Sequence, residues 1–202
     1  MGAVEILGLA GSMSLLAGWR LYLCTFVTGV AMRWGVIDLP SHLDALQALA
    51  NPWVLGASFV GLVAEFFADK VAWLDSIWDT VHTVVRPLGG ALLSLAIVDP
   101  NDGATQVVAF LLGGGAALLS HGAKASARAL VNASPEPYSN IAVSAGEDVA
   151  TGGLLALALT NPIVALLVAL TALIFALVLL VFTRRLLRRM VGFRDRVLPA
   201  GR

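Results

Sequence analysis

The 202 residues are 58% hydrophobic and 13% charged, with a mean hydropathy of +0.87, against roughly 45–50% apolar and about 25% charged for a soluble domain. That composition excludes a water-soluble globular protein. A net charge of zero, with no P-loop, dinucleotide fingerprint, nucleophile elbow or aromatic RNA-binding motif, leaves no case for nucleic acid as a partner.

The N-terminus, MGAVEILGLAGSMS, holds Glu5 and no basic residue before Arg20. It lacks the basic start of a cleaved signal peptide and the Ser or Thr a myristoylation motif needs, so it is expected to be retained unmodified. An apolar segment over 10–34 then carries Arg20 and Cys24. As the only cysteine, Cys24 excludes an intrachain disulfide or a Cys-based zinc cluster and reads as a packing residue. Further apolar segments follow over 52–71, 74–98, 104–131, 139–160 and 163–182, parted by stretches rich in Gly, Pro, Asn and Asp. The last, IVALLVALTALIFALVLLVF, is uncharged and has the ~20 residues needed to cross a hydrocarbon core.

The pattern predicts an all-α, polytopic membrane protein of about six transmembrane helices. It would form one membrane domain over 1–202, with a core over about 10–183. Seven of the 13 basic residues, Arg184, Arg185, Arg188, Arg189, Arg194, Arg196 and Arg202, form a tail over 184–202. By the positive-inside rule that tail is cytoplasmic, and an even number of crossings puts both termini there, in a bacterial inner membrane. Lys70, Lys124 and Arg128 then fall at cytoplasmic helix ends.

Leu88 to Val98 and Val149 to Thr160 are short apolar runs, each behind a polar half and a Gly-Gly pair, at Gly89-Gly90 and Gly152-Gly153. Both are expected to be broken or re-entrant. Their likeness points to a weak internal duplication, in which helices two and three repeat as four and five. An inverted three-plus-three arrangement competes with it, and so does the plainer reading that Gly-Gly permits close helix packing. Gly113, Gly114 and Gly115 would likewise let a neighbour approach helix four. The tryptophans at 19, 34, 53, 73 and 78 lie mostly near span ends, as interfacial aromatics do. Pro135 and Pro137 are expected to stiffen a cytoplasmic turn, and Asn132-Ala-Ser134 reads as a chance glycosylation match.

Chemistry concentrates in DSIWDTVHTVVR, where Asp75, Asp79, His82 and Arg86 share one helical face. A charge facing lipid at mid-bilayer is costly, so this face must meet protein or water. Pairing of Asp79 with His82 is expected, with His82 and Arg86 competing for carboxylates. Glu65 and Asp69 on helix two, His121, Lys124 and Arg128 on helix four, and Glu147 and Asp148 on helix five sit at similar depth, and Arg20 lies inside helix one. Together they would line one cytoplasm-facing vestibule. Glu65, Asp69, Asp79, His82, Glu147 and Asp148 are the candidate ligands for a proton, an ion or a small polar solute, with Arg86, His121, Lys124 and Arg128 as counter-charges or further contacts.

Three functions fit those residue types. The first is a small transporter or channel-like protein, working as a homo-oligomer in the lipid bilayer without a cofactor. The second is an intramembrane enzyme holding a divalent metal on Glu65, Asp69, Asp79, His82, His121 and Glu147, though no strict metal signature is present. In the third, the charges are ion pairs that only fix helix register.

The strings EFFADK, DSIWDTVHT and NASPEPYSN resemble a family of bacterial integral membrane proteins, domain of unknown function 4126, and the likeness runs from about Gly18 to Thr183. It implies one compact membrane domain of common design. It carries no activity, substrate or site residue with it.

Overall fold

A computed structural model describes residues 3–35, 41–98, 101–132 and 138–197. It contains six α-helices: α1 Ala3–Arg33, α2 Pro52–Ala68, α3 Ala72–Leu95, α4 Gly103–Asn132, α5 Tyr138–Thr160 and α6 Pro162–Val197. A 3-10 helix, Ser41–Ala50, joins α1 to α2. Among the described residues there is no strand. The stiff turn expected at Pro135 and Pro137 lies outside the described residues. The arginine-rich segment continues α6 to Val197 as helix.

The chemistry of helix ends accounts for several boundaries. Asn51 accepts a hydrogen bond from the Trp53 amide at 2.9 Å and Pro52 fills the first turn of α2, which together satisfy or remove donors that a helix start leaves unpaired. Asp102 does the same for α4, accepting from the amides of Ala104 and Thr105 and from the Thr105 hydroxyl. Those bonds hold its carboxyl below the usual carboxylate range, the Thr105 hydroxyl contributing most.

In α3 the usual amphipathic order is inverted. Asp75, Asp79, His82 and Arg86 are buried, while Ile77, Val81, Val84, Leu88 and Leu92 face outward. Val81 is 57% and Leu92 62% exposed. A helix with charge inside and branched alkyl groups outside is stable only where lipid takes the place of water. The chain is thus an all-α membrane protein. Its apolar core gathers Leu9, Met13, Leu16, Leu93, Ile97 and Leu155, and the charged residues gather beyond it.

The sequence places breaks at the two Gly-Gly pairs, but both helices run through them. α3 is continuous across Pro87, Gly89 and Gly90, and α5 across Gly152 and Gly153. At Gly90 and Gly113 the absence of a side chain serves packing instead: a Cβ on Gly90 would strike Ala117, and one on Gly113 would strike Ser94.

The break falls in α1, at Arg20, whose φ of −144° and ψ of 75° are not helical. Each arm can be followed by what it touches. In the first arm Gly8 packs on Pro162, Ser14 donates to the Gly90 carbonyl at 3.1 Å, and the Leu15 carbonyl accepts from Ser120 at 2.7 Å. In the second arm Leu21 lies on Gly89, Tyr22 on Gly61, Phe26 against Phe59 and Gly29 on Leu49. The second arm is therefore antiparallel to α2, and both arms run from Arg20 toward the end of the bundle that holds the 3-10 helix, Val98 and Pro162. α1 is long and apolar enough to cross a membrane by composition, like α4 and α5, yet it reaches that length only by joining two arms that fold back beside each other. With this shape α1 touches every other helix. Its start and the end of α6 lie at opposite ends of the bundle.

Candidate functional site

The apex of α1 carries Arg20 into the layer where the charged residues of α2 to α5 meet. Three linked groups result.

The first surrounds Arg20 and Asp69, both fully buried. Arg20 lies 2.5 Å from Asp69, 3.0 Å from Asp148 and 3.8 Å from Glu147. Lys124 stands 3.2 Å from Asp69 and 3.6 Å from Glu147, and also donates to the Trp19 carbonyl at 3.2 Å. Breaking α1 at Arg20 frees backbone carbonyls at the turn, and the Lys124 ammonium occupies one of them. Arg20 in turn donates to the Ser144 carbonyl at 3.2 Å. Lys70, in the turn between α2 and α3, completes the group at 3.8 Å from Asp148. Burial pushes its ammonium below the ordinary value, against the upward pull of Asp148.

The second group centres on Arg86. One guanidinium nitrogen donates to Glu65 at 2.6 Å, and the other donates to Asp79 at 3.0 Å and to Nδ1 of His121 at 2.7 Å. A ring nitrogen that accepts from a guanidinium carries no proton, so the His121 hydrogen sits on Nε2. From there it reaches the Asp79 carbonyl at 3.1 Å and the Thr83 hydroxyl at 3.2 Å. His121 is neutral in this arrangement. At His82, Nδ1 faces the Trp78 carbonyl at 2.7 Å and must donate, while Nε2 shares a hydrogen bond with the Tyr22 hydroxyl at 3.0 Å. The His82 ring stacks on Trp78 with centroids 4.3 Å apart.

The third group ties the ends of α3, α4 and α5. Arg128 pairs with Asp75 at 3.1 Å and donates to the Asn140 carbonyl at 3.2 Å and to the Asp69 carbonyl. Asn132 holds the same Asp75 carboxylate at 2.6 Å.

All ten residues singled out from the sequence therefore lie in this layer. Two details differ from the expectation. Asp79 pairs with Arg86, seven residues along, while His82 turns to Tyr22 and Trp78. The residues also form three linked sets of ion pairs in place of one open vestibule. Open space does reach them on one side, in a cavity of about 270 Å³ between α3 and α4 lined by Asp75, Asp79, Thr83, Arg128 and Asn132. A larger and mainly apolar cleft of about 560 Å³ reaches Tyr22 from the other end, past Trp53, Leu49 and Leu92.

Arg20, Tyr22, Asp75, Asn132 and Asn140 join the layer from outside the ligand set that the sequence suggests. Arg20 offered a signal, as the only charge between Glu5 and Arg33. For the metal reading, among the described residues no three His, Cys, Asp or Glu side chains gather closely enough to hold an ion.

The family model described as "Domain of unknown function (DUF4126)" matches residues 7–182. The chain belongs to this family. In this DUF4126 protein the matched span takes in both arms of α1 and every member of the three charged groups. No curated protein and no solved structure matches the chain.

Proposed function

We propose that this DUF4126 protein moves an ion or small polar solute across a membrane, with the charged layer as its binding element. The supporting observation is an open groove between α3 and α4, lined by Ser76, Thr80, Thr83 and Asn132, that ends on the buried Asp79 and Arg128 in a bundle whose outer face is largely apolar. A purely structural set of ion pairs needs no such space beside it. Ionisable groups held at depth beside open space are by default candidates for a solute route.

The sidedness follows from the basic residues. The arginine-rich end of α6, Lys70 and Arg128 share one end of the bundle, which the positive-inside rule assigns to the cytoplasm. Both arms of α1 point the other way. We therefore place the N-terminus on the face opposite the C-terminus, in contrast to the cytoplasmic placement of both termini expected from the sequence, with α1 entering the membrane and returning. So few helices seldom enclose a whole pathway, which favours a homo-oligomer as the working unit.

The test is permeation in proteoliposomes offered protons, sodium, potassium, chloride and a small neutral polyol in turn. Wild-type protein is expected to pass at least one above the rate of empty liposomes, and Asp79→Asn to lose that flux while remaining folded. No flux of any of the five overturns the reading.

A further inference from the structure

The three groups differ in charge balance. Around Arg20, three cations (Arg20, Lys70 and Lys124) meet three carboxylates (Asp69, Glu147 and Asp148). Arg128 meets Asp75 one to one. At Arg86 a single guanidinium faces two carboxylates, Glu65 and Asp79, and neither neighbouring imidazole supplies the missing positive charge. His121 accepts from Arg86, and the two ring nitrogens of His82 bond the Trp78 carbonyl and the Tyr22 hydroxyl, neither of them a carboxylate.

A second, independent observation marks the same place. Glu65 is 0% exposed, and its second oxygen, Oε2, is buried with no hydrogen-bond partner, as is one oxygen of Asp69 and of Asp75, whose groups hold a cation for every carboxylate. An ionised carboxylate with a bare oxygen in a dry interior is strongly disfavoured unless something neutralises it. The neutralising species must be small. Among the described residues no group of three or more acidic, His or Cys side chains converges there to cage a metal ion. A proton needs one oxygen only.

We propose that Glu65 and Asp79 hold a single exchangeable proton between them, with Arg86 as their fixed counter-charge, and that the proton is the ion this site takes. This deepens the transport reading above and rests on it for its consequence. Arg86 keeps a bond to each carboxylate, so the proton can sit on either without leaving the other bare. Asp79 lines the polar cavity, so the proton leaves a carboxylic acid there for water and returns the same way, while Glu65 sits on the closed side. The other ionisable groups facing the pair or its Arg86 are Tyr22 and Cys24 on α1, Asp69 at the end of α2, Asp75 and His82 on α3, and His121 on α4. Of these, Asp75 is committed to Arg128, and Asp69 to Arg20 and Lys124.

The experiment is infrared difference spectroscopy on the purified full-length protein at neutral pH, with exchange into D2O to mark protonated carboxyls. Wild type is expected to show one carboxylic acid band that shifts on exchange. Both Glu65→Gln and Asp79→Asn are expected to abolish it, because either change leaves one carboxylate for one guanidinium and no need for a proton. Two variants are made so that failure of one to fold leaves the other to decide. Absence of the band in wild type, or its survival in either folded variant, overturns the proposal. Flux is scored separately: the band without flux of any solute removes the transport reading and leaves the proton site, and flux without the band does the reverse.

Discussion

The Asp69 carboxylate is shared by two buried cations of the first group, and its removal separates two kinds of loss. It faces both Arg20 and Lys124 with no solvent on either side. Asp69→Asn strips the carboxylate from two buried cations, and breaking a buried pair in this way costs about 3–5 kcal/mol. Lys124→Met leaves Asp69 with Arg20 still in place. Thermal unfolding in detergent is expected to rank the two variants in that order, with Asp69→Asn the lower by several degrees. The stripe on α3 was readable because helical periodicity alone puts Asp75, Asp79, His82 and Arg86 on one face. Their partners were not. Local spacing favours Asp79 with His82, but the choice was made by Tyr22 and Glu65, which come from helices whose depth the sequence does not give.

The same limit applies at the scale of the helix. Gly89-Gly90 and Gly152-Gly153 look alike as strings, yet Gly90 lies against Ala117 on α4 while Gly152 and Gly153 have open space around them. Gly90→Leu is expected to force α3 from α4 and lower the unfolding temperature markedly, and Gly153→Leu to leave it within a degree or two. Equal effects would restore the idea that the two segments are structural repeats. The break at Arg20 had no such cue, since neither Gly nor Pro stands there. It comes from tertiary contacts, in which Asp69, Asp148 and the Ser144 carbonyl hold the guanidinium and Lys124 takes the carbonyl of Trp19. At the start of α4, Asp102→Ala removes the acceptor for the amides of Ala104 and Thr105, so those two amides are expected to exchange faster with D2O. The native carboxyl is held below its unfolded value, so this cap acts above the ordinary carboxylate range and is lost as pH falls through the lowered folded value.

For the whole molecule, composition and hydropathy were enough to give the class, the helix count and most helix limits to within a few residues. They could not distinguish one long helix from two arms, because an apolar stretch has the same composition whether it crosses or returns. The folded-back α1 predicts that an epitope at the N-terminus and one at the C-terminus are cut by protease from opposite faces of sealed, oriented vesicles. Cleavage of both from one face would mean that α1 crosses the membrane once.

The central claim is that the charged layer carries solute and is more than a brace between helices. Permeation through proteoliposomes of wild type and Asp79→Asn, with thermal unfolding of both preparations recorded alongside, tests it most directly. The account predicts flux in wild type and its loss in a variant that unfolds at a similar temperature. Equal flux in the two proteins, or no flux in either across the five solutes, would contradict it.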